Sequence, residues 1–72
     1  MRFGTKDVQL PPDAYIAGPM IGMTEKGERR NIVVRRGNAE AFVDAATGKV
    51  AHVVEDPDRP GQMNFLVEAL GR

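Results

Sequence analysis

Few side chains in this sequence are able to carry out catalysis. The chain contains no Ser and no Cys, and His52 is its only histidine. The three threonines, Thr5, Thr24 and Thr47, fall in the N-terminal segment or in predicted turns, where a hydroxyl ordinarily bonds to the local backbone. Nucleophilic catalysis needs an activated hydroxyl, thiol or amine beside a base, and His52 lies among valines in a predicted strand. We therefore expect no catalytic residues and a protein that is not an enzyme.

The acidic residues near position 56 match the first half of a calcium-binding loop. Asp56, Asp58 and Gly61 match positions 1, 3 and 6 of such a loop. The match then fails, because position 5 is Pro60 and position 12 is Val67, where a bidentate Glu is required. The segment is predicted to be a solvated acidic turn, and no metal ion or other cofactor is expected.

Four arginines flank the second predicted strand and raise the question of phosphate binding. Strand alternation places Arg30 and Arg36 on one face and Arg29 and Arg35 on the other, so they do not form one patch. The formal net charge is zero and only four residues are aromatic, which disfavours nucleic acid as a partner. We expect these arginines to form salt bridges, either within the domain or across an assembly contact.

Turn residues recur about every dozen positions, a spacing typical of antiparallel strands rather than of a helical bundle. The pair Gly37-Asn38 suits a primed hairpin turn. The predicted fold is mainly β, either a small five-stranded antiparallel meander or an SH3-like barrel. An extended N-terminal arm is predicted over residues 1–13, ahead of a single small β domain over residues 14–72. The five predicted strands span residues 14–23, 28–36, 39–44, 49–55 and 62–69.

The last of these segments allows two interpretations. As a strand, it places Phe65 and Val67 on one face. As a short C-terminal helix, it brings together Phe65, Leu66, Ala69 and Leu70. The strand is the preferred interpretation and the helix the alternative. The residues predicted to form the core are Ile32, Val34, Phe42, Val50, Val53 and Phe65.

A chain of 72 residues can build only a thin core. Surface scaling suggests a hydrophobic gain of about 105 kcal/mol against an ordering cost of about 108 kcal/mol. Small domains with so little net stability usually gain more from disulfides, a metal or a partner. Because cysteine is absent, a protein partner is the favoured supplement, and this partner is often another copy of the chain.

Two segments are candidates for contact with that partner. The arm, with Pro11-Pro12 at its end, resembles segments that are laid on the sheet edge of a neighbour. The apolar stretch of residues 14–23 is interrupted by Gly18 and Pro19, as at a sheet edge or a bend. The predicted interface residues are Val8, Leu10 and Pro11 in the arm, and Tyr15, Ile16, Met20 and Met23 in the first strand.

The leading functional prediction is a non-catalytic structural or assembly protein, in particular a small bacteriophage virion component such as a capsid decoration or head-tail accessory subunit. The alternative is a small protein-binding inhibitor or adaptor, such as a phage-encoded antagonist of a host defence complex. No apolar stretch is long enough to span a membrane, and no signal peptide is recognised. We expect protein partners, no membrane association, no small-molecule substrate, and a cytoplasmic location on synthesis, followed by the virion if the leading prediction holds.

Overall fold

The fold is known from a computed structural model, which describes the backbone of all 72 residues and every side chain except that of Thr24. The turn role predicted for the Thr24 hydroxyl therefore concerns a side chain outside the described residues. The elements are β1 (Arg2–Phe3), β2 (Lys6–Asp7), β3 (Ala14–Thr24), β4 (Gly27–Arg36), β5 (Ala39–Asp44), β6 (Val50–Val54) and α1 (Asn64–Leu70).

The main sheet has the strand order β3-β4-β5-β6, and every neighbouring pair is antiparallel. The predicted meander is confirmed, and its first four strands were placed to within one residue at each end. Among the described strands, β3 and β6 are the two sheet edges and do not pair with each other, so the sheet is open and is not a closed barrel.

The tight turns follow the glycines. Gly37 has a φ of 58° and Arg36 pairs directly with Ala39. Positive φ at the first loop residue alone is the pattern of a type II′ turn, so the predicted primed hairpin is confirmed.

Two β-bulges decide which side chains face the core. One lies in β3 between Ile16 and Gly18, and the other shifts the register of β5 against β6 between Phe42 and Val43. The second bulge leaves Ala51 of β6 between His52, the partner of Phe42, and Val50, the partner of Val43. Val50 and Val53 therefore lie on the same face although they are three residues apart.

The C-terminal segment is a helix, so the fifth strand predicted over residues 62–69 is wrong and the helical alternative is confirmed. A strand would have placed Glu68 on the same face as Leu66 and Leu70. The helix instead buries Leu66 and Leu70 and leaves Glu68 exposed. Met63, one turn before Leu66, is fully buried as well.

The N-terminal segment predicted as an extended arm begins with a hairpin, in which Arg2 pairs with Asp7 and Phe3 with Lys6. Phe3 is only 1% exposed and belongs to the core. The Lys6 Nζ donates a hydrogen bond of 3.3 Å to the Ala69 carbonyl at the end of α1. The hairpin is therefore packed on its own domain.

The core lies between one face of the sheet and a cover made by α1 and the N-terminal hairpin. Of the residues predicted for it, Val34 and Val50 are fully buried, and Ile32, Val53 and Phe65 are half-buried against it. Phe42 lies on the opposite face, because it is the cross-strand partner of Val33 and not of Val34. The buried cluster is Phe3, Val8, Val34, Ala39, Ala41, Val43, Val50, Met63, Leu66 and Leu70.

The bulge in β3 should depend on Gly18. Its φ of +117° is one that side-chain-bearing residues rarely adopt, so Gly18→Ala should lower the free energy of unfolding by about 1–2 kcal/mol. Gly22 in the same strand has no such φ, and a Cβ there would meet its nearest atom at 3.9 Å. The control Gly22→Ala should leave stability unchanged or raise it by up to about 1 kcal/mol. Urea unfolding of both variants checks this, and equal effects would contradict it.

The buried position of Phe3 leads to a second prediction. Phe3→Ala should lower the free energy of unfolding by about 3–5 kcal/mol, a large part of the roughly 4–11 kcal/mol expected for a domain of this size. Tyr15→Ala, which truncates an aromatic residue that is 54% exposed, should cost about 1 kcal/mol or less. Thermal unfolding followed by circular dichroism measures both, and a stable Phe3→Ala variant would show that the hairpin is not part of the core.

Candidate protein-interaction surface

The hairpin formed by β3 and β4 extends beyond the rest of the sheet. Strand β5 pairs with β4 only from Asn31 to Arg36, so residues 21–30 form a two-stranded segment, here called the ribbon. At about 3.4 Å per residue, the ribbon projects about 14 Å. The surface area of the chain is 4906 Å², whereas a compact protein of this mass is expected to expose about 4,400 Å². The projection of the ribbon agrees with this larger surface.

Apolar residues of β3 continue the core face of the sheet out along the ribbon. Directly opposed residues of two strands lie on the same face, and the register with β4 places four apolar residues of β3 on the face of Val34. All four are exposed, Ile21 by 59% and Met23 by 76%. We call this set the apolar stripe; it consists of Ile16, Pro19, Ile21 and Met23.

The stripe and the core are two parts of one apolar sheet face. The described cover, α1 and the N-terminal hairpin, packs on the part that contains Val34, Ala41 and Val43. The part along β3 is left exposed to solvent. Contiguous exposed apolar surface on a small protein is typical of an interaction site, and the stripe is therefore the strongest candidate surface of the described residues.

The opposite face of the sheet carries the remaining aromatic residues. Tyr15 and Met20 lie there on β3, and the rings of Phe42 and His52 are 5.9 Å apart at an interplanar angle of 44°. The geometry on this face is that of an aromatic contact.

Strand β3 also offers its backbone. It is an edge strand, so the N–H and C=O groups on its outer side are available for pairing with another chain. Pro19 lies in this edge strand, the position in a sheet at which a missing N–H is tolerated.

Asp44 fixes the base of the ribbon to the sheet. Its Oδ1 accepts hydrogen bonds from the N–H groups of Ala46 at 2.8 Å and Thr47 at 3.3 Å, and its Oδ2 accepts one from Arg29 Nη1 at 2.9 Å. The main-chain N–H of Ala45 donates to the Arg30 carbonyl at 2.9 Å. One buried carboxylate therefore shapes the turn after β5 and ties it to β4. The sequence signal for this role is an Asp at a strand end before a turn that closes on Gly48.

These contacts change the acidity of Asp44. The pKa of its carboxyl is held below its ordinary value, chiefly by the hydrogen bond from the Ala46 N–H, with further lowering by the Thr47 N–H and Arg29, and against the opposing effect of burial. The charged form is therefore the one that the fold stabilises.

The arginines of β4 behave largely as predicted. Arg36, besides its salt bridge with Asp13, lies over the Phe65 ring, 5.7 Å from its centroid, and so holds β4 to the helix. Arg30 makes no ion pair among the described residues and lies exposed on the ribbon. The other three form salt bridges within the domain: Arg29 with Asp44 at 2.9 Å, Arg35 with Glu40 at 2.9 Å, and Arg36 with Asp13 at 3.1 Å.

The acidic residues near position 56 serve the local backbone. Asp56 Oδ1 accepts the Asp58 N–H at 3.0 Å, and Glu55 Oε2 accepts the Gly61 N–H at 2.9 Å. No group of three or more His, Asp or Glu residues able to hold a metal ion occurs in the described part of the chain.

An open groove of about 570 Å³ lies beside the ribbon and includes Arg29, Arg30 and Asp44 in its lining. Its lining contains both basic and acidic side chains, and Arg29 is already paired with Asp44, so the groove does not present a uniformly positive surface to an anionic ligand.

The predicted interface residues fall into two groups. Val8 is only 6% exposed and belongs to the core, and Leu10 and Pro11 are half-buried. The four predicted on the first strand are all exposed on β3, Ile16 and Met23 on the stripe and Tyr15 and Met20 on the opposite face. Ile21 was missed as an individual residue, although its spacing of two from Met23 places the two on one face of a strand.

No family model, curated protein or solved structure matches this chain. The described residues include no helix with the length and apolar character needed to cross a membrane.

The depressed pKa of Asp44 predicts a pH effect on stability. Because its pKa is lower in the folded state, the stabilisation is fully present above the unfolded value of about 3.9 and is lost as the pH falls through the folded value. Wild type should therefore lose more stability on acidification than Asp44→Asn, which lacks the charge at all pH values. Above pH 5, Asp44→Asn should be less stable than wild type by about 1–3 kcal/mol.

Urea unfolding between pH 2 and pH 7 measures this difference. Asp58→Asn, which removes the same carboxylate charge from an exposed turn residue, serves as the control and should follow the wild-type pH profile. A constant difference in stability between wild type and Asp44→Asn at all pH values would contradict the role given to the Asp44 charge.

Proposed function

We propose that this chain is a non-catalytic assembly or binding protein that contacts other proteins through the apolar stripe and the adjoining edge of β3. The observation that carries the proposal is the exposure of Ile21 and Met23 on the same sheet face whose other half forms the core. Covering an apolar surface of this kind with a partner removes it from water, which lowers the free energy of the complex.

The ribbon itself supports a role in binding. A two-stranded ribbon with few contacts to the rest of its domain is only marginally stable in water. The described structure ties its base through Asp44 and Arg29, and further out Met23 pairs with Glu28 across the two strands. Contact with a partner would stabilise the outer part and would bury the stripe in the same step.

The small size and the composition of the chain suggest two more specific forms of this proposal. The first is a small bacteriophage virion component, such as a capsid decoration or head-tail accessory subunit, and its support is a thin single domain that benefits from assembly. The second is a small inhibitor or adaptor that covers a site on one host protein. Met23, flexible and polarizable at the end of the stripe, suits either role because such side chains adapt to irregular surfaces.

The proposal predicts that the stripe is needed for partner binding and not for folding. Ile21→Thr combined with Met23→Thr keeps β-branched or short side chains on the ribbon but removes apolar surface, and it should weaken partner capture by about tenfold or more. Val54→Thr makes a similar change at a residue 40% exposed on the other edge strand and should leave capture unchanged.

Quantitative affinity capture from the cells that make the protein, or from virions they release, checks this with the wild type and both variants. Thermal unfolding shows that the variants are folded. A stoichiometric partner retained equally by all three proteins would contradict the proposal, and so would a partner lost equally from both variants.

A further inference from the structure

The stripe carries an unpaired charge of each sign beside it. On β4, Arg30 is the cross-strand partner of Ile21, and Glu28 is the cross-strand partner of Met23. Directly opposed residues share a face, so these four side chains stand together on the core side of the ribbon. Both charged residues are exposed, and neither takes part in the ion pairs found among the described residues.

This arrangement is complementary to itself. Consider a two-fold axis that is parallel to the sheet and runs across the two strands, over the Gly22–Arg29 pair. This axis would exchange the position of Ile21 with that of Met23 and the position of Arg30 with that of Glu28. When two ribbons pack face to face about that axis, Ile21 of one lies over Met23 of the other, and Arg30 lies over Glu28. An isologous contact of this kind places every residue opposite its complement twice.

The residues at the axis allow the close approach. Gly22 and Arg29 are directly opposed and both face the other side of the ribbon, where Arg29 is held by Asp44 at 2.9 Å. No side chain therefore stands between the two faces at the centre of the contact.

From this pattern we infer that the partner that covers the stripe is a second copy of this chain, bound face to face through the two ribbons with reciprocal Arg30–Glu28 ion pairs. The inference rests on the proposed function and names its partner. The contact area is small, so the dimer is weak and forms with rising protein concentration. The charges set the register of the two ribbons and reject shifted ones, since like charges would then oppose each other.

Charge reversal tests this pairing. Glu28→Arg should oppose two arginines to two arginines, and Arg30→Glu should do the same with carboxylates, so each variant alone should dimerise about tenfold more weakly or worse. A mixture of the two variants should form a heterodimer, because each ribbon then carries the charges that the other lacks. The double variant E28R/R30E should regain self-association, since every pair is restored with its signs exchanged.

Sedimentation velocity over a concentration series measures all four samples against the wild type. Glu68→Arg, which reverses a charge on the exposed side of α1, is the control and should dimerise as the wild type does. A wild type that stays monomeric over the whole series overturns the inference, as does a mixture that is no more dimeric than its components.

The outcomes separate this inference from the proposed function. If the wild type is monomeric but the stripe variant loses a captured partner, then the surface binds a different protein and only the self-association is overturned. If Ile21→Thr with Met23→Thr changes neither dimerisation nor capture, both are overturned.

Discussion

The structure depends on the need to bury one apolar face of a four-stranded sheet with very little chain. The face continues from Val50 and Val43 across Val34 to the stripe on β3. The chain provides one seven-residue helix and a short N-terminal hairpin to cover it. These two elements enclose Val34, Ala41 and Val43 but leave the β3 side open. The core and the proposed interface therefore have the same physical origin, which is the burial of apolar surface.

Local features determine where this face points. The bulge at Gly18 allows β3 to change direction while Ile16 and Pro19 stay on one face. Asp44 joins the turn after β5 to Arg29 at the base of the ribbon. The ribbon is thus held at its base by a buried charged group. Such an element can retain its orientation while it adapts to a partner.

Much of the sheet could be predicted because its turns are marked by glycines at regular spacing. The first four strands and the turn at Gly37 follow from local patterns. Salt bridges of the arginines were also expected, but whether they lie within the domain or across an assembly contact could not be decided, because Arg29 and Arg36 pair with residues distant in sequence. The spacing of the apolar residues did not distinguish helix from strand at the C-terminus. Phe65 shares a face with Val67 in a strand and with Leu66 and Ala69 in a helix. The strand interpretation is wrong because a strand would place Glu68 on the same face as the buried Leu66 and Leu70. That these two leucines are buried becomes known only from the packing of this segment on the sheet.

The N-terminal hairpin and the bulges were harder to predict. Phe3 lies far in sequence from the residues that it packs against, so no local pattern shows that it is buried. The bulge in β6 explains why Val50 and Val53 share a face, which strict alternation excludes. At the candidate surface, the sequence pointed to Ile16 and Met23, but their common face with Ile21 depends on the bulge at Gly18 and on the register with β4.

The most direct measurement is the rate at which hydrogen peroxide oxidises each methionine, followed by mass spectrometry, in the dilute purified protein and in the assembled or cell-bound state. Met23 lies on the stripe, Met20 on the opposite face, and Met63 in the core. We expect Met23 to be oxidised rapidly in the dilute protein and to be protected when a partner is present, while Met20 stays reactive and Met63 stays protected in both states. Equal oxidation of Met23 in the two states would contradict the claim that this surface is where the protein acts.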